Sequence, residues 1–316
     1  MKRKSCLIEA SEINRAAALI RAGDLVAFPT ETVYGLGANA LDAAAVAKIY
    51  SAKGRPAGSP LIIHVDSIGM ARGLAREWPA KADLLARRFW PGPLTLVLPK
   101  QAHVPDLVTA GLDTVGLRMP ANDIALALIR EAGVPIAAPS ANRFSELSPT
   151  TAQHVRESLG DRVALVLDGG RTTVGIESTV LSLAGPRARL LRPGMLTQAQ
   201  IEEVIGAIDV SGGPVTGSHP SPGMHQRHYS PRTQFLLVDH GGLPVRGRGA
   251  YLWMHEPADA ARIIQMPEQP QAYAAVLYDT LHHVDAQGYD WIAVERPPHT
   301  PEWAAIRDRL ERAAAK

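Results

Sequence analysis

The chain has 316 residues, with 33 Lys and Arg against 31 Asp and Glu and a single cysteine, Cys6. That length suits two domains or one large one, and 46% hydrophobic with 20% charged residues excludes wholesale disorder. A formal charge of +2 excludes a broad nucleic-acid-binding field, and one cysteine excludes an intrachain disulfide. No apolar run reaches the ~18 residues of a membrane span, and no apolar signal region follows the basic Met1–Lys4 start. The expectation is a cytoplasmic protein of a reducing compartment.

In chain order, Ile13 to Ala22 reads as a helix with Ser11 as N-cap and Gly23 as stop. Asp24 to Phe28 reads as a buried strand, followed by a polar, glycine-containing loop from Pro29 to Gly37. Asp42 caps a helix over Ala43 to Ala52, which Gly54 and Pro56 end. Strands are expected at Leu61–Val65, Leu94–Leu98, Val115–Met119, Ile136–Ala138, Val163–Leu167, Thr179–Leu183 and Ala188–Arg192. Asn122 or Asp123 opens a helix ending near Gly133, Pro149 or Thr150 opens one to Leu159, and Thr197 opens one to Ile205. Alternating helices and strands argue for an α/β fold, and adjacent late strands for a mixed sheet.

Composition changes at Ser211. From there to Arg232 the chain holds four Gly, four Pro, three His and no acidic residue, the pattern of a linker. After it, strands at Phe235–Val238, Ala250–Trp253 and Trp291–Val294 and helices at Gln271–Leu281 and Glu302–Ala315 form a small α/β unit. The expected division is therefore 1–210, a linker at 211–232, and 233–316.

The P-loop, the three-glycine dinucleotide fingerprint, the His-Glu-x-x-His zinc motif and the Gly-x-Ser-x-Gly elbow are all absent. What remains is a set of strand-end loops rich in hydroxyls and cations. Thr30, Thr32 and Tyr34 follow the first strand, where α/β sheets place ligands. The same stretch reads equally as a strand-to-helix turn. Lys53-Gly-Arg55 with Ser59 suits phosphate, though Lys53 also suits a helix C-terminus and Gly54 an ordinary C-cap. Ser140 and Asn142 end a short strand and can bind phosphate oxygen or serve a local turn. Thr114, Arg118, Ser178 and Arg192 complete the set. Arg118 lies within an apolar strand, so it needs an anionic ligand or a carboxylate such as Glu177. His64 also lies within an apolar strand, where a histidine is more often a core residue than a ligand contact.

The motifs Pro29-Thr-Glu-Thr-Val-Tyr-Gly-Leu-Gly37, Lys53-Gly-Arg55, Ser140-Ala-Asn142 and Ile176-Glu-Ser-Thr-Val180 together resemble the YrdC-type L-threonylcarbamoyladenylate synthases. The linker Ser221-Pro-Gly-Met…Arg-His-Tyr-Ser-Pro231 and the small second unit resemble the family's long two-domain form. The resemblance implies a twisted mixed-sheet α/β domain with a concave site, followed by a Rossmann-like α/β domain. It implies a nucleotidyltransferase that joins L-threonine, bicarbonate and Mg2+-bound ATP into threonylcarbamoyl-AMP and pyrophosphate, for tRNA modification by other proteins. By the same resemblance, Lys53, Arg55, Ser140 and Asn142 bind the ATP phosphates, and Lys53 and Arg55 offset charge during reaction. Thr32, His64, Arg118, the Ala138 backbone and Ser178 bind threonine. Ser59, Thr114, Ser148 and Arg192 contact the nucleotide, and Tyr229 closes over it. No protein metal ligand is implied. The expected partners are the small substrates and a downstream transfer complex, with weak or no stable tRNA binding. The alternative is a non-catalytic RNA-binding module in which Arg55, Arg118 and Arg192 meet phosphates on a basic concave face.

Overall fold

The computed structural model describes residues 9–210, 228–239, 242–255 and 257–315. The chain begins with α1 (Ala10–Arg21), β1 (Val26–Phe28) and β2 (Gly35–Asn39), then α2 (Ala43–Lys53) and β3 (Ile62–His64). Next come α3 (Ile68–Leu74), α4 (Ala80–Phe89), β4 (Leu94–Pro99), α5 (Asp106–Thr109) and β5 (Thr114–Arg118). After α6 (Asp123–Ala132), β6 (Ile136–Ala137), α7 (Ala152–Leu159) and β7 (Leu165–Val166), the unit ends in β8 (Thr179–Ser182), β9 (Arg189–Arg192), α8 (Gln198–Ile205) and β10 (Asp209–Val210).

Helix starts follow the side chains able to satisfy free N–H groups. Asp42 accepts from the amides of Ala44 and Ala45, and Asn122 from those of Ile124 and Ala125, each cap worth about 1 kcal/mol. Thr197 and Gln200 form a reciprocal capping box. At the other ends of α2 and α6, Gly54 and Gly133 adopt the left-handed conformation that closes a helix. Three expectations shift. The first helix starts a turn earlier, because Ser11 bonds Glu9 rather than a helical amide. The cap of α7 is Thr151, whose hydroxyl accepts from His154. The loop after β1 ends at Tyr34, since Gly35–Asn39 is a strand paired antiparallel with β1.

The ten strands form one mixed sheet in the order β10-β9-β8-β4-β5-β3-β6-β2-β1-β7. β3 runs parallel to β5 and antiparallel to β6, and β8 runs antiparallel to β9. Ends of opposite sense therefore meet: Ser178, just before β8, stands beside Arg192 at the close of β9.

The second unit contains β11 (Gln234–Val238), β12 (Gly249–Trp253), β13 (Arg262–Gln265), α9 (Pro270–Asp285), β14 (Trp291–Glu295) and α10 (Ala304–Ala314). Its sheet is all parallel, in the order β11-β14-β12-β13. A hydrophobic cluster runs across both units. Val33, Leu147 and Ile176 pack with Tyr273, Leu277 and Tyr278 of α9 and with Ile306 and Leu310 of α10. Gly175 (φ +83°) makes the approach possible, because a Cβ there would lie 2.2 Å from the Ala274 carbonyl oxygen. Among the described residues no helix is long and apolar enough to cross a membrane. Of the 211–232 linker, residues 211–227 lie outside the described residues.

Candidate active site

A cavity of about 50 Å³ lies against the large sheet. Its floor is β3, where Ile62 and His64 point to the same face. Arg118 ends the neighbouring strand, and Thr32 overhangs from the loop after β1. Ala138 and Ser140 form one wall, Ser178 and Arg192 another, and Arg55 closes one end. His228 and Tyr229 cover the rest. A larger cavity of about 660 Å³ opens between Leu190–Leu196 and α10 and holds none of these groups.

Arg118 is 4% exposed, and its guanidinium donates to the Thr32 hydroxyl at 2.9 Å and the Gly92 carbonyl at 3.3 Å. Its carboxylate partner is Glu31, at 2.8 Å. This corrects the expectation of Glu177, whose carboxylate instead meets Arg309 of α10 at 2.8 Å. Thr30 fixes the loop, donating to the Val33 carbonyl at 2.7 Å and standing 2.8 Å from the Thr32 hydroxyl. His64 stacks edge-on against Phe28, and burial, then the charge of Arg118, pushes its pKa down to about 3. Its imidazole is neutral in the folded protein at neutral pH, and its Nδ1 is buried with no hydrogen-bond partner among the described residues.

The Lys53 ammonium is buried and donates to the carbonyl of Ser140 at 2.7 Å and to that of Asn142. Burial and the nearby Arg55 hold it well below the usual lysine range. It stands directly behind the Ser140–Asn142 loop. Asn142 stiffens that loop by donating to the carbonyls of Arg143 and Glu146, both at 2.9 Å. Arg55 spans the Ser59 and Pro60 carbonyls at 3.3 and 3.0 Å, and burial lowers its pKa to about 10. Arg192 grips the Ser178 carbonyl with Nε at 3.1 Å and Nη2 at 3.0 Å, and reaches the Ser178 hydroxyl at 3.2 Å. Gly194 lets these segments touch, since a Cβ there would lie 2.3 Å from the Thr179 amide.

Ser148 does not line the cavity but donates to Glu177, which does, at 2.5 Å. Ser59 touches it only through Arg55. Thr114 lies at the opposite end of β5 from Arg118, ~13 Å away at ~3.3 Å per residue. Tyr34, offered by its ring, is instead a core residue whose hydroxyl donates to the Gly170 carbonyl at 2.7 Å. Tyr229 is buried, adopts φ +61°, and has a hydroxyl with no hydrogen-bond partner among the described residues. Sequence reasoning misses Glu31 as the partner of Arg118, and it misses His228 and Arg309 altogether.

The arrangement gathers three guanidiniums, an ammonium one hydrogen bond behind the loop, hydroxyls and a neutral imidazole. Cys6, the chain's one thiol, lies outside the described residues. Among the described residues no group of three carboxylate, His or Cys side chains is placed to hold a metal. Such a site binds anionic and polar groups by position and electrostatics.

Comparison with known proteins identifies the family of the chain. The family model of Sua5, YciO and YrdC proteins, described as "Telomere recombination", matches residues 18–194. The "Threonylcarbamoyl-AMP synthase, C-terminal domain" model matches residues 196–315. The chain is 46% identical to the threonylcarbamoyl-AMP synthase of Bacillus subtilis, over 96% of this chain and 93% of that one. It is 44% identical to that of Pyrococcus abyssi, over 97% and 95% of the two chains. The crystal structure of Pyrococcus abyssi Sua5 complexed with L-threonine superposes with a TM-score of 0.90, at 42% identity, covering 97% of this chain and 95% of that one. The chain belongs to the Sua5/YciO/YrdC family, in the two-domain form that carries the threonylcarbamoyl-AMP synthase C-terminal domain.

Proposed function

We propose that this protein is a threonylcarbamoyl-AMP synthase that condenses L-threonine, bicarbonate and ATP at the cavity against the large sheet, releasing pyrophosphate. The observation that carries the reading is the meeting of Thr32, Arg118, His64 and Ser178 with Arg55, Ser140 and Arg192 around one cavity. A carboxylate, an amine and a polyphosphate can each find complementary groups there. Arg118 takes the threonine carboxylate, sharing its fork with Glu31, while Thr32, His64, the Ala138 backbone and Ser178 fix the rest of the amino acid. Arg55 and Ser140 take the phosphates, Lys53 and Asn142 hold the Ser140–Asn142 loop in place for them, and Arg192 and Tyr229 meet the remainder of the nucleotide, while Ser59, Thr114 and Ser148 stand outside the cavity lining.

Bicarbonate takes up a proton and loses water to give CO2, and the neutral threonine amine adds to that CO2 and releases its proton to solvent, giving a carbamate. A carbamate oxygen attacks the α-phosphorus, the bond from that phosphorus to the bridging oxygen breaks, and pyrophosphate leaves. The nucleophile is already anionic, so no protein base is assigned. Arg55 offsets charge on the departing phosphates, and Lys53 holds the loop that presents Ser140 to them. Mg2+ would accompany ATP, held by phosphate and water oxygens rather than by side chains of this protein, and would neutralise part of the polyphosphate charge. At about 50 Å³ the cavity is too small for ATP while His228 and Tyr229 line it, so these two residues withdraw for its entry. Their return excludes water from a labile mixed anhydride.

We assign catalysis to 1–210, closure to 211–232 and a docked supporting domain to 233–316, in a cytoplasmic enzyme. The product passes to a separate tRNA-modifying transfer complex, with no stable tRNA complex of its own. Duplex RNA binding through the cavity arginines is disfavoured, because Arg55, Arg118 and Arg192 are only 8%, 4% and 4% exposed. The test is pyrophosphate release with ATP, Mg2+, bicarbonate and labelled threonine, with threonylcarbamoyl-AMP identified by mass. Release that does not depend on both threonine and bicarbonate overturns the reading.

A further inference from the structure

Arg309 belongs to the second unit, yet its side chain is 0% exposed and ends at the wall of the cavity. Its Nε donates to Glu177 Oε2 at 2.8 Å and its Nη1 to the Pro193 carbonyl at 3.1 Å. Its guanidinium carbon lies 5.3 Å from the centre of the Tyr229 ring. Asp308 supports it from its own helix at 2.6 Å. Glu177 and Pro193 are the chain neighbours of Ser178 and Arg192. One guanidinium therefore ties together the two antiparallel strand ends that form one wall, and it backs the aromatic residue that covers the cavity. Glu177 is shared in turn with the Ser148 hydroxyl and with the Tyr278 hydroxyl of α9 at 3.2 Å.

We infer that Arg309 is a positioning residue of the synthase reaction, through which the second unit sets the placement of Ser178, Arg192 and Tyr229. The inference rests on the function proposed above. Arg309 reaches no substrate; it acts through Glu177 and the Pro193 carbonyl. Burial would raise the Glu177 carboxyl, but Arg309, Arg192 and the Ser148 hydroxyl together hold it below the usual glutamate value. Without Arg309 the buried Glu177 carboxylate loses its direct ion pair and keeps only Arg192 and the Ser148 and Tyr278 hydroxyls, so more of its charge bears on the neighbouring sites and repels the threonine carboxylate and the phosphates.

The test compares full-length wild type with Arg309→Met, Arg309→Lys and the double variant Arg309→Met/Glu177→Gln, all checked for folding by circular dichroism. Pyrophosphate release is measured from pH 6 to pH 8.5. Arg309→Met is expected to raise KM for threonine and ATP about ten-fold or more. Its activity relative to wild type should rise as pH falls, because protonating Glu177 removes the repulsion. The double variant should lose that extra pH dependence and regain part of the activity, and Arg309→Lys should fall between wild type and Arg309→Met. KM values within two-fold of wild type in Arg309→Met overturn the inference. So does a uniform loss with the wild-type pH profile that Glu177→Gln does not relieve. If Arg309→Met does not fold, Arg309→Lys decides by the same KM criterion. An active wild type with unaffected variants overturns this inference alone, whereas an inactive wild type overturns the function and this inference with it.

Discussion

The Lys53 ammonium donates to the carbonyl oxygen of Ser140 at 2.7 Å, joining positions 87 residues apart. A second bond to the Asn142 carbonyl makes Lys53 a clamp on the loop that faces the cavity. Lys53→Met keeps the buried stem and deletes the clamp. Two carbonyls then lose their donor, at about 1–3 kcal/mol for a buried group left unmade. The expected result is a lowered melting temperature and an ATP KM raised at least ten-fold, with the threonine KM less affected. Equal losses for both substrates would assign Lys53 to the fold alone.

Arg118 and Glu31 form a buried pair whose members are 5% and 6% exposed at the side chain. Breaking such a pair from one side strands the other charge, at about 3–5 kcal/mol. Arg118→Met should therefore destabilise the protein more than the double variant Arg118→Met/Glu31→Gln, in which no charge is stranded. Urea midpoints at pH 7.5 measure the difference. Both proteins should lose threonine binding, since the fork that would hold its carboxylate is gone in each. Restored stability with restored threonine binding would remove Arg118 from the amino-acid site.

The pattern of residues made some of this legible and left the rest hidden, for definable reasons. Asp42 and Asn122 mark helix starts because a short side-chain acceptor at that position has one dominant use. Glu31 and Glu177 could not be told apart as partners for Arg118. Both flank site residues, and pairing depends on how the chain crosses the sheet. Arg309 does leave a trace. It falls on the buried stripe of α10 with Ile306, Leu310 and Ala313, where a charge needs a partner. In sequence it is submerged in the Arg307–Arg312 run, whose other charges also suit a solvated helix face. Helices α3 and α4 are short and broken by Trp78-Pro79, so their period is difficult to read.

Tyr229 separates stability from function cleanly. Its hydroxyl has no hydrogen bond to the described residues, so Tyr229→Phe loses none and leaves no partner there unsatisfied. The melting temperature should stay within about 2 °C of wild type or rise. If the hydroxyl serves the nucleotide, the ATP KM should rise several-fold while the threonine KM holds. An unchanged ATP KM would leave Tyr229 acting through its ring alone, against Arg309 and Tyr278.

His154 of α7 and His282 of α9 stack across the two units, with ring centres 3.9 Å apart and planes 17° from parallel. The Thr150 amide donates to His154 Nδ1 at 3.3 Å, and His282 Nε2 donates to the Ser148 carbonyl at 3.1 Å. Asp279 faces His154 at 3.8 Å and is itself paired with Arg171. Burial, then His282 and Arg171, pushes the His154 pKa down to about 3 from an ordinary 6.5. Burial lowers His282 as well. The unfolded chain therefore binds more protons than the folded one between about pH 6.5 and pH 3, so stability falls as pH falls through that window. His154→Phe keeps an aromatic ring against His282 and removes one titrating group. The drop in melting temperature between pH 8 and pH 5 should be smaller in His154→Phe than in wild type, starting from a lower value at pH 8 because the buried Thr150 amide loses its acceptor. An unchanged drop would move the acid sensitivity to His64, whose pKa is also pushed down to about 3, and leave the stacked pair as packing only.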